Sequence, residues 1–487
     1  MIRNDALSVA IDAGENPYLL GPYAPVDTEI ESGDLEVIGE IPADLEGLYV
    51  RNGPNPRLPT IGRYHWFDGD GMLHGVHLEG GQATYRNRWV RTEGLEQERR
   101  AGSPLWQGVA EPRHDNPDDG SRLRLKDTAN TDVLFHNGNL VTLWYLAGAP
   151  YSVDPITLET IGQQDWSGTR TSCVSAHAKV DPRTGEFVFF DYGPTPPYMS
   201  YGVVSADGIV KHFTDVDLPS ARMPHDMAIT ENHSILMDLP LVVDEKAAAQ
   251  GRHSLAFLPD QPARFGIIPR HGAGSQIRWF EADPCYIYHS INAWEEGDEI
   301  VMDVCRFRFP GPPAIPLDGP LANILNYLRL DAFVHRYRFD LVSGRTREEK
   351  LADRNTEFPM IHPDRLGTRN RYAYNVSINS DVTMYFDGLV KYDMETGAEE
   401  RYGFGAGRFG SEAPFAPRPG ATAEDDGYLL SFVFDAATDR SELVILDAAD
   451  LSAGPIGRVM LPVRVPNGFH SCWVPAEDLD RARRTVA

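Results

Sequence analysis

The feature of this sequence that most restricts its fold is a recurring pattern of short strands joined by tight turns. In residues 131–143, Asn137 and Gly138 separate two β-rich runs, and Asn-Gly is the favoured pair for a type I′ hairpin turn. The pattern recurs at 179–190, 288–304, 336–350 and 425–446. Helical signals are few, and the best of them lies at 322–330. We therefore predict an all-β protein.

The hairpins follow one another without a Ser/Gly-rich linker, which favours one closed architecture over several domains. A β-propeller fits best, because the inner strands of its four-stranded blades project side chains toward a common axis. Two β-sandwiches would explain the strands but would provide no shared centre. We predict a single propeller domain over residues 17–475, with an N-terminal extension at 1–16 and a C-terminal tail at 476–487.

Four histidines lie inside short apolar, strand-like stretches and not in polar loops: His177, His225, His289 and His470. A buried imidazole needs a partner for both of its nitrogens, or it leaves an unsatisfied polar group. Four such residues suggest a common centre, and the simplest one is a metal bound by neutral imidazoles. The alternative is that each is a hydrogen-bonded core residue with no functional role.

The charge balance excludes some partners. The formal net charge of −26 over 487 residues argues against nucleic acid, because phosphate binding needs basic patches. It also disfavours electrostatic attraction to anionic membranes. The N-terminus has no signal-peptide pattern, and no apolar run is long enough to span a membrane. Four cysteines without a Cys-x-x-Cys pair indicate reduced thiols and a cytoplasmic protein.

Two segments depart from the hairpin pattern. Residues 97–120 are polar and are expected to form a surface loop. Residues 309–330 are apolar and proline-rich. They are expected either to pack as a loop over the core or to form an apolar entrance that guides a hydrophobic substrate and makes shallow contact with a membrane.

Longer motifs, such as Leu-Tyr-Val-Arg-Asn-Gly-Pro-Asn-Pro and Trp-Phe-Asp-Gly-Asp-Gly-Met-Leu-His, carry a resemblance to a known family. The motifs lie at 39–56, 66–74, 129–131, 154–160, 175–177, 225–230, 289–295, 357–359, 415–420 and 468–470. In this order the chain resembles the carotenoid cleavage oxygenase family. The resemblance implies a seven-bladed propeller, with loops and short helices forming a cap over a non-haem Fe(II) that the four histidines hold on the axis.

The resemblance also implies the reaction and the groups around the metal. Dioxygen cleaves a conjugated C=C bond into two carbonyl products. Glu357 would face His289 and Glu412 would face His470, because carboxylates that accept the other ring N–H fix the orientation of metal-binding imidazoles. A third glutamate of the family is missing, because Tyr145 or Leu146 stands at its position. A tyrosine hydroxyl, a backbone carbonyl or water would then support His225.

The substrate is inferred from the same region. Relatives that cleave stilbenes and phenylpropenes carry a Lys before that glutamate and a Tyr near 105–113. Here Trp144 or Tyr145 replaces the Lys and Val109 replaces the Tyr, so we predict a carotenoid or apocarotenoid.

A stilbene or a vinyl- or propenylphenol is the alternative substrate. Isomerisation or hydrolysis of a retinoid-like ester, and a non-catalytic binding propeller, remain as other classes of function. By the resemblance, Thr131 would lie beside an open iron position. Trp106 and Phe307 are expected to line the tunnel, unless they are ordinary core aromatics.

Overall fold

Antiparallel strands make up most of the regular structure, as the hairpin pattern predicted. The computed structural model describes residues 16–111, 116–117, 124–168, 173–244, 255–308, 321, 325, 328–380 and 383–486. Within these residues, seven main sheets form the blades of a β-propeller, and a two-stranded ribbon lies beside the fourth blade. The predicted all-β, seven-bladed fold is confirmed.

The strands are numbered along the chain. The first five are β1 (Glu31–Ser32), β2 (Val37–Gly39), β3 (Gly47–Pro54), β4 (Gly71–Glu79) and β5 (Gln82–Trp89). Blade two consists of β6 (Asp132–His136), β7 (Asn139–Leu143), β8 (Tyr151–Val153) and β9 (Thr160–Gln163). Blade three consists of β10 (Lys179–Val180), β11 (Phe187–Tyr192), β12 (Tyr198–Val204) and β13 (Val210–Asp217).

Blade four and its ribbon contain β14 (Met227–Ile229), β15 (His233–Asp238), β16 (Leu241–Val243), β17 (Leu255–Phe257), β18 (Ala263–Pro269) and β19 (Arg278–Ala282). Blade five consists of β20 (Ile287–Glu296), β21 (Glu299–Phe307), β22 (Ala332–Asp340) and β23 (Thr346–Lys350). Blade six consists of β24 (Thr356–Met360), β25 (Tyr372–Asn379), β26 (Tyr385–Asp393) and β27 (Glu399–Gly403). The last six strands are β28 (Arg408–Phe409), β29 (Phe415–Pro417), β30 (Gly427–Asp435), β31 (Arg440–Asp447), β32 (Pro455–Met460) and β33 (Ser471–Pro475).

Both ends of the propeller sequence close the ring. Blade one joins β1, β5, β4 and β3 to the C-terminal strand β33, while blade seven joins β28–β32 to the N-terminal strand β2. Around the axis, β33, β6, β10, β14, β20 and β24 contact one another in succession, and β29 contacts β33. Side chains at the ends of these inner strands therefore meet near one point, although they are far apart in sequence.

Aromatic and aliphatic side chains fill the spaces between blades. Phe265 of blade four, for example, packs on Tyr337 and Phe339 of blade five with ring centroids 4.6 and 5.1 Å apart. Such tilted ring pairs bury a large apolar area in each interface. This packing fixes the blades relative to one another and hence the positions of the inner strands.

The turn chemistry follows the sequence prediction. Asn137 and Gly138 have φ of 48° and 82° between the paired residues His136 and Asn139, which is the backbone of a type I′ turn. Gly297, with φ of 62°, lies in the turn that joins β20 to β21.

The prediction of a loop from residue 97 was wrong for its first part. Helix α1 spans Glu93–Ala101, where the Thr92 hydroxyl oxygen accepts the Leu95 N–H at 3.2 Å and Gly102 ends the helix with φ of 67°. These caps favour a helix that buries little apolar surface. Residues 112–115 and 118–120 of the expected loop lie outside the described residues.

The C-terminal segment forms helix α2 (Ala476–Val486) and packs against β3 and β33. Residues 309–320, 322–324 and 326–327 of the apolar segment lie outside the described residues. The helix expected at 322–330 is therefore described only in part, and the membrane contact stays a prediction. None of the described helices has both the length and the apolar character that crossing a bilayer requires.

Candidate metal centre

Four imidazoles meet on the propeller axis. The Nε2 atoms of His177 and His225 are 3.1 Å apart, and candidate ligand atoms of these two residues and His289 all lie within 4.8 Å of one another. The ring of His470 lies 4.5 Å from that of His177 and 4.7 Å from that of His289, between centroids. The four side chains are 5–7% exposed. The structure thus brings together the four histidines that the sequence singled out.

Each histidine lies in, or one or two residues before, the inner strand of a different blade. His177, His225 and His470 immediately or almost immediately precede β10, β14 and β33, and His289 lies within β20. Blades three, four, one and five therefore each contribute one side chain. This placement explains why residues up to 293 positions apart in the numbering share one site.

The backbone of His177 is held in an unusual conformation. Its φ of 68° is left-handed, a conformation that costs a non-glycine residue about 1–3 kcal/mol. The Asp132 carboxylate accepts the His177 N–H at 2.9 Å and the Val133 N–H at 2.8 Å. Asp132 is thus a positioning residue that the sequence reasoning missed. Its one signal was its position directly after the Ala-Asn-Thr motif.

Glu357 supports His289, as the resemblance implied. The Nδ1 of His289 hydrogen-bonds the Glu357 carboxylate, which is fully buried and also accepts the Phe358 N–H at 2.6 Å. Burial raises the pKa of Glu357 to about 8. The Phe358 ring lies 4.9 Å from the rings of both His289 and His470, so it packs the two imidazoles together.

Glu412 supports His470 in the same way. Its Oε1 is 2.9 Å from the His470 Nδ1, while Oε2 accepts the N–H of Ser471 at 2.6 Å and its hydroxyl at 3.0 Å. Burial lowers the pKa of His470, but the Glu412 carboxylate outweighs it and raises that pKa above its usual value. The backbone N–H of His470 donates to the Thr131 carbonyl at 3.2 Å.

His225 is held differently. Its Nδ1 has no hydrogen-bond partner among the described residues, consistent with the missing third glutamate. The Tyr288 ring packs edge-on against it at 4.7 Å. The neighbouring Asp226 accepts the Ser290 N–H and the Lys179 ammonium, each at 2.7 Å. Asp226 therefore ties blade four to blades three and five beside the centre.

The donor set suits a divalent transition metal. Burial, followed by repulsion from the neighbouring imidazoles, lowers the pKa of His177, His225 and His289 well below its usual value. These rings are therefore neutral and keep a lone pair for a metal. The Nε2 of His289 has no hydrogen-bond partner within the described part of the chain, and a buried polar atom in that state costs about 1–3 kcal/mol. A metal bound among the rings would remove that cost.

Several of the residues predicted for the substrate pocket lie together. A cavity of about 60 Å³ is lined by Trp106, Val109, Trp144 and Tyr145. Thr131 adjoins this wall, since its hydroxyl oxygen accepts the Tyr145 N–H at 3.1 Å.

Two other predicted pocket residues lie elsewhere. Leu146 is buried in the hydrophobic core and does not line this cavity. Phe307 packs on Tyr288 at 5.1 Å, and Tyr288 in turn touches His225. Phe307 is therefore one aromatic ring away from the centre.

The fold and this centre together define a β-propeller enzyme with four histidines on its axis. The chain belongs to the family described as Retinal pigment epithelial membrane protein, whose model matches residues 23–475, and this family includes the carotenoid cleavage oxygenases. The predicted resemblance and the predicted oxygenase class are both confirmed.

Individual relatives cover nearly the whole chain. Carotenoid 9,10(9′,10′)-cleavage dioxygenase 1 of Arabidopsis thaliana is 37% identical over 95% of this chain and 90% of its own length. Isoeugenol monooxygenase of Pseudomonas nitroreducens is 34% identical over 94% of this chain and 98% of its own. The crystal structure of Pseudomonas brassicacearum lignostilbene dioxygenase matches with a TM-score of 0.85 and 30% identity, covering 95% and 99% of the two chains.

Proposed function

We propose that this protein is an Fe(II)-dependent oxygenase that cleaves a conjugated C=C bond of a carotenoid or apocarotenoid with dioxygen. The observation that carries the proposal is the convergence of four buried imidazoles, two of which hydrogen-bond buried glutamates. His177, His225, His289 and His470 would hold the metal. Four neutral ligands would leave its full positive charge uncompensated, unlike sites that include a carboxylate ligand.

In the overall reaction one alkene and one molecule of dioxygen give two carbonyl compounds. Fe(II), when bound, supplies a redox-active centre with open coordination positions for dioxygen. The protein's own residues orient the imidazoles and pack around them. Glu357 and Glu412 fix the planes of two imidazoles, while Phe358 packs against His289 and His470 and Tyr288 packs against His225.

The described residues that line the cavity beside Tyr145 offer no free cation to a phenol, which supports a polyene as the substrate. Trp144 or Tyr145 stands where the resemblance places a phenol-binding lysine, and Val109 where it places a tyrosine. Lys126 also lines this cavity, but its ammonium is 2.5 Å from carboxylates of both Asp70 and Glu98. An ammonium held between two buried carboxylates is already satisfied and is a poor clamp for a phenol.

The second candidate is the same cleavage of a stilbene or a propenylphenol. The relationship to a lignostilbene dioxygenase and an isoeugenol monooxygenase favours it. The two candidates differ in products, because a polyene gives shorter polyene aldehydes and an aryl alkene gives benzaldehyde-type fragments.

The test is chromatography with mass detection on iron-loaded protein that is given an apocarotenal and a hydroxystilbene together in air. We expect two carbonyl fragments from the apocarotenal alone, and their masses identify the scissile bond. Fragments from the stilbene alone would reverse the substrate assignment. A single rearranged alcohol would indicate isomerisation. Absence of any product from protein with one iron per chain would contradict the proposed function.

A further inference from the structure

A second, much larger cavity reaches the centre along the propeller axis. Its volume is about 1260 Å³, and His177, His289 and His470 line its inner end. Exposed residues such as Asp364 and Glu477 line its outer end. His225 and the aromatic residues of the smaller cavity are not part of its wall. The centre therefore faces solvent through a passage separate from the cavity beside Tyr145.

The wall of this axial cavity contains more carboxylates than cations. Its carboxylates belong to Asp44, Glu46, Asp132, Asp181, Asp226, Asp364, Glu412, Glu477 and Asp478. Against these nine, the described wall has three cationic side chains, Lys179, Arg418 and Arg481. All three are paired with acids of the same wall, Lys179 with Asp226 at 2.7 Å, Arg481 with Asp478 at 3.1 Å and Arg418 with Asp44 at 3.7 Å. A fourth acid, Asp181, is paired with Arg183 and Arg270 outside the wall.

The inner end of the cavity lies beside a buried ring nitrogen that has no hydrogen-bond partner among the described residues. His289 lines it, is 6% exposed, and has an Nε2 without a hydrogen-bond partner within the described residues. Acidic walls alone would indicate only a solvated opening. An acidic passage that leads to a buried imidazole lone pair instead indicates a cation as the species that travels through it.

We propose that the axial cavity is the route by which a divalent metal ion enters the centre, and that its carboxylates draw the ion inward. This inference rests on the proposed function, because it assumes that the four histidines bind a metal. Clefts lined by one sign of charge focus the field between low-dielectric walls and raise the association rate of the opposite charge by about 10- to 1000-fold. A neutral polyene gains nothing from such walls, since it would have to displace their hydration. Substrate and metal would thus use different entrances.

Two acidic residues at the mouth allow a direct test. Glu477 and Asp478 lie in the first turn of α2 and line the cavity, whereas Asp480 of the same helix is exposed and does not. The variants are Glu477→Gln with Asp478→Asn, the charge reversal Glu477→Lys with Asp478→Lys, and Asp480→Asn as the matched control. None of these residues touches the centre, and circular dichroism would verify that each variant is folded.

The measurement is the rate of Co(II) uptake by metal-free protein at low ionic strength, followed by the visible absorption of the bound ion in a stopped-flow instrument. We expect the Gln/Asn double variant to bind Co(II) about 2- to 5-fold more slowly than the wild type. The double-Lys variant should bind Co(II) at least about 10-fold more slowly. The control should match the wild type. The differences should shrink in about 0.5 M salt, where charges are screened over a few ångströms. The final stoichiometry and the dissociation rate should not change.

Equal uptake rates for all variants at low salt would overturn the entry route. So would an equal slowing by the Asp480→Asn control, because the effect would then belong to the net charge and not to the passage. These results leave the metal centre intact. Failure of the wild type to bind one Co(II) per chain would instead contradict the proposed function, and the two failures are therefore distinguishable.

Discussion

The two halves of the centre are held in different ways. His289 and His470 each hydrogen-bond a buried glutamate through Nδ1. The Nδ1 of His225 has no such partner among the described residues, and His177 is fixed through its backbone N–H by Asp132. One half is thus oriented by hydrogen bonds to the rings, and the other by packing and backbone geometry.

This difference indicates where metal affinity resides. A carboxylate on the outer nitrogen fixes the plane of the ring and strengthens it as a ligand. The edge of Tyr288 against His225 limits the motion of that ring but adds no charge. We therefore expect the glutamate-supported half to dominate metal retention and the His225 half to tolerate change.

The largest expected effect comes from removing a ring of the supported half. His289→Ala should lose the metal and all turnover while the fold survives, because the cavity left by one imidazole is small relative to the propeller. Metal analysis and circular dichroism measure the two properties. His212→Ala is the control, because His212 lies on β13 of blade three and its ring donates to the Gly272 carbonyl between β18 and β19 of blade four. Wild-type metal content in His289→Ala would remove His289 from the ligand set.

A smaller effect is expected when the rings stay and their supports change. Glu357→Gln and Glu412→Gln should each weaken metal binding by about 10- to 100-fold, as measured by competition with a chelator. Glu295→Gln is a matched control, because Glu295 also supports a histidine but lies away from the propeller axis. Its Oε1 is 3.0 Å from the His233 Nδ1. If the control weakens binding as much, the glutamates act through general stability and not through the rings.

Loss of the Asp132 carboxylate that holds the His177 backbone should reduce the free energy of unfolding more than it reduces turnover. Asp132→Ala leaves the N–H groups of His177 and Val133 without their acceptor, which should cost about 1–3 kcal/mol of unfolding free energy. Urea denaturation of the metal-free protein measures it. An unchanged midpoint would mean that the left-handed conformation of His177 is held by other contacts.

The smallest effect concerns the missing glutamate. Tyr145→Glu or Leu146→Glu would restore the carboxylate that the resemblance places beside His225, and should leave activity intact or tighten metal binding by up to about 10-fold. Chelator competition and product yield are measured together. If both variants abolish activity and keep the metal, the region shapes the substrate cavity, in whose wall Tyr145 already lies.

Local chemistry made much of the fold predictable. Asn137-Gly138 specifies its own turn, and the apolar flanks of the four histidines set them apart from surface residues. Helix α1 escaped prediction because its apolar face is reduced to little more than Leu95, so that its caps were the main signal. The role of Asp132 could not be inferred, since it depends on the φ of a residue 45 positions away.

Closure of the ring has a consequence for how the protein matures. Strand β33 completes blade one, and His470 directly precedes it, so the fourth imidazole arrives with the strand that seals the seam. On a ribosome, His177, His225 and His289 can gather earlier, but the full set exists only after residue 475 has emerged and paired with β3. A ligand that needs all four imidazoles binds only the closed propeller, and it stabilises that closed state by mass action. Metal binding would then stabilise the pairing of β33 with β3, and loss of the metal would destabilise blade one first.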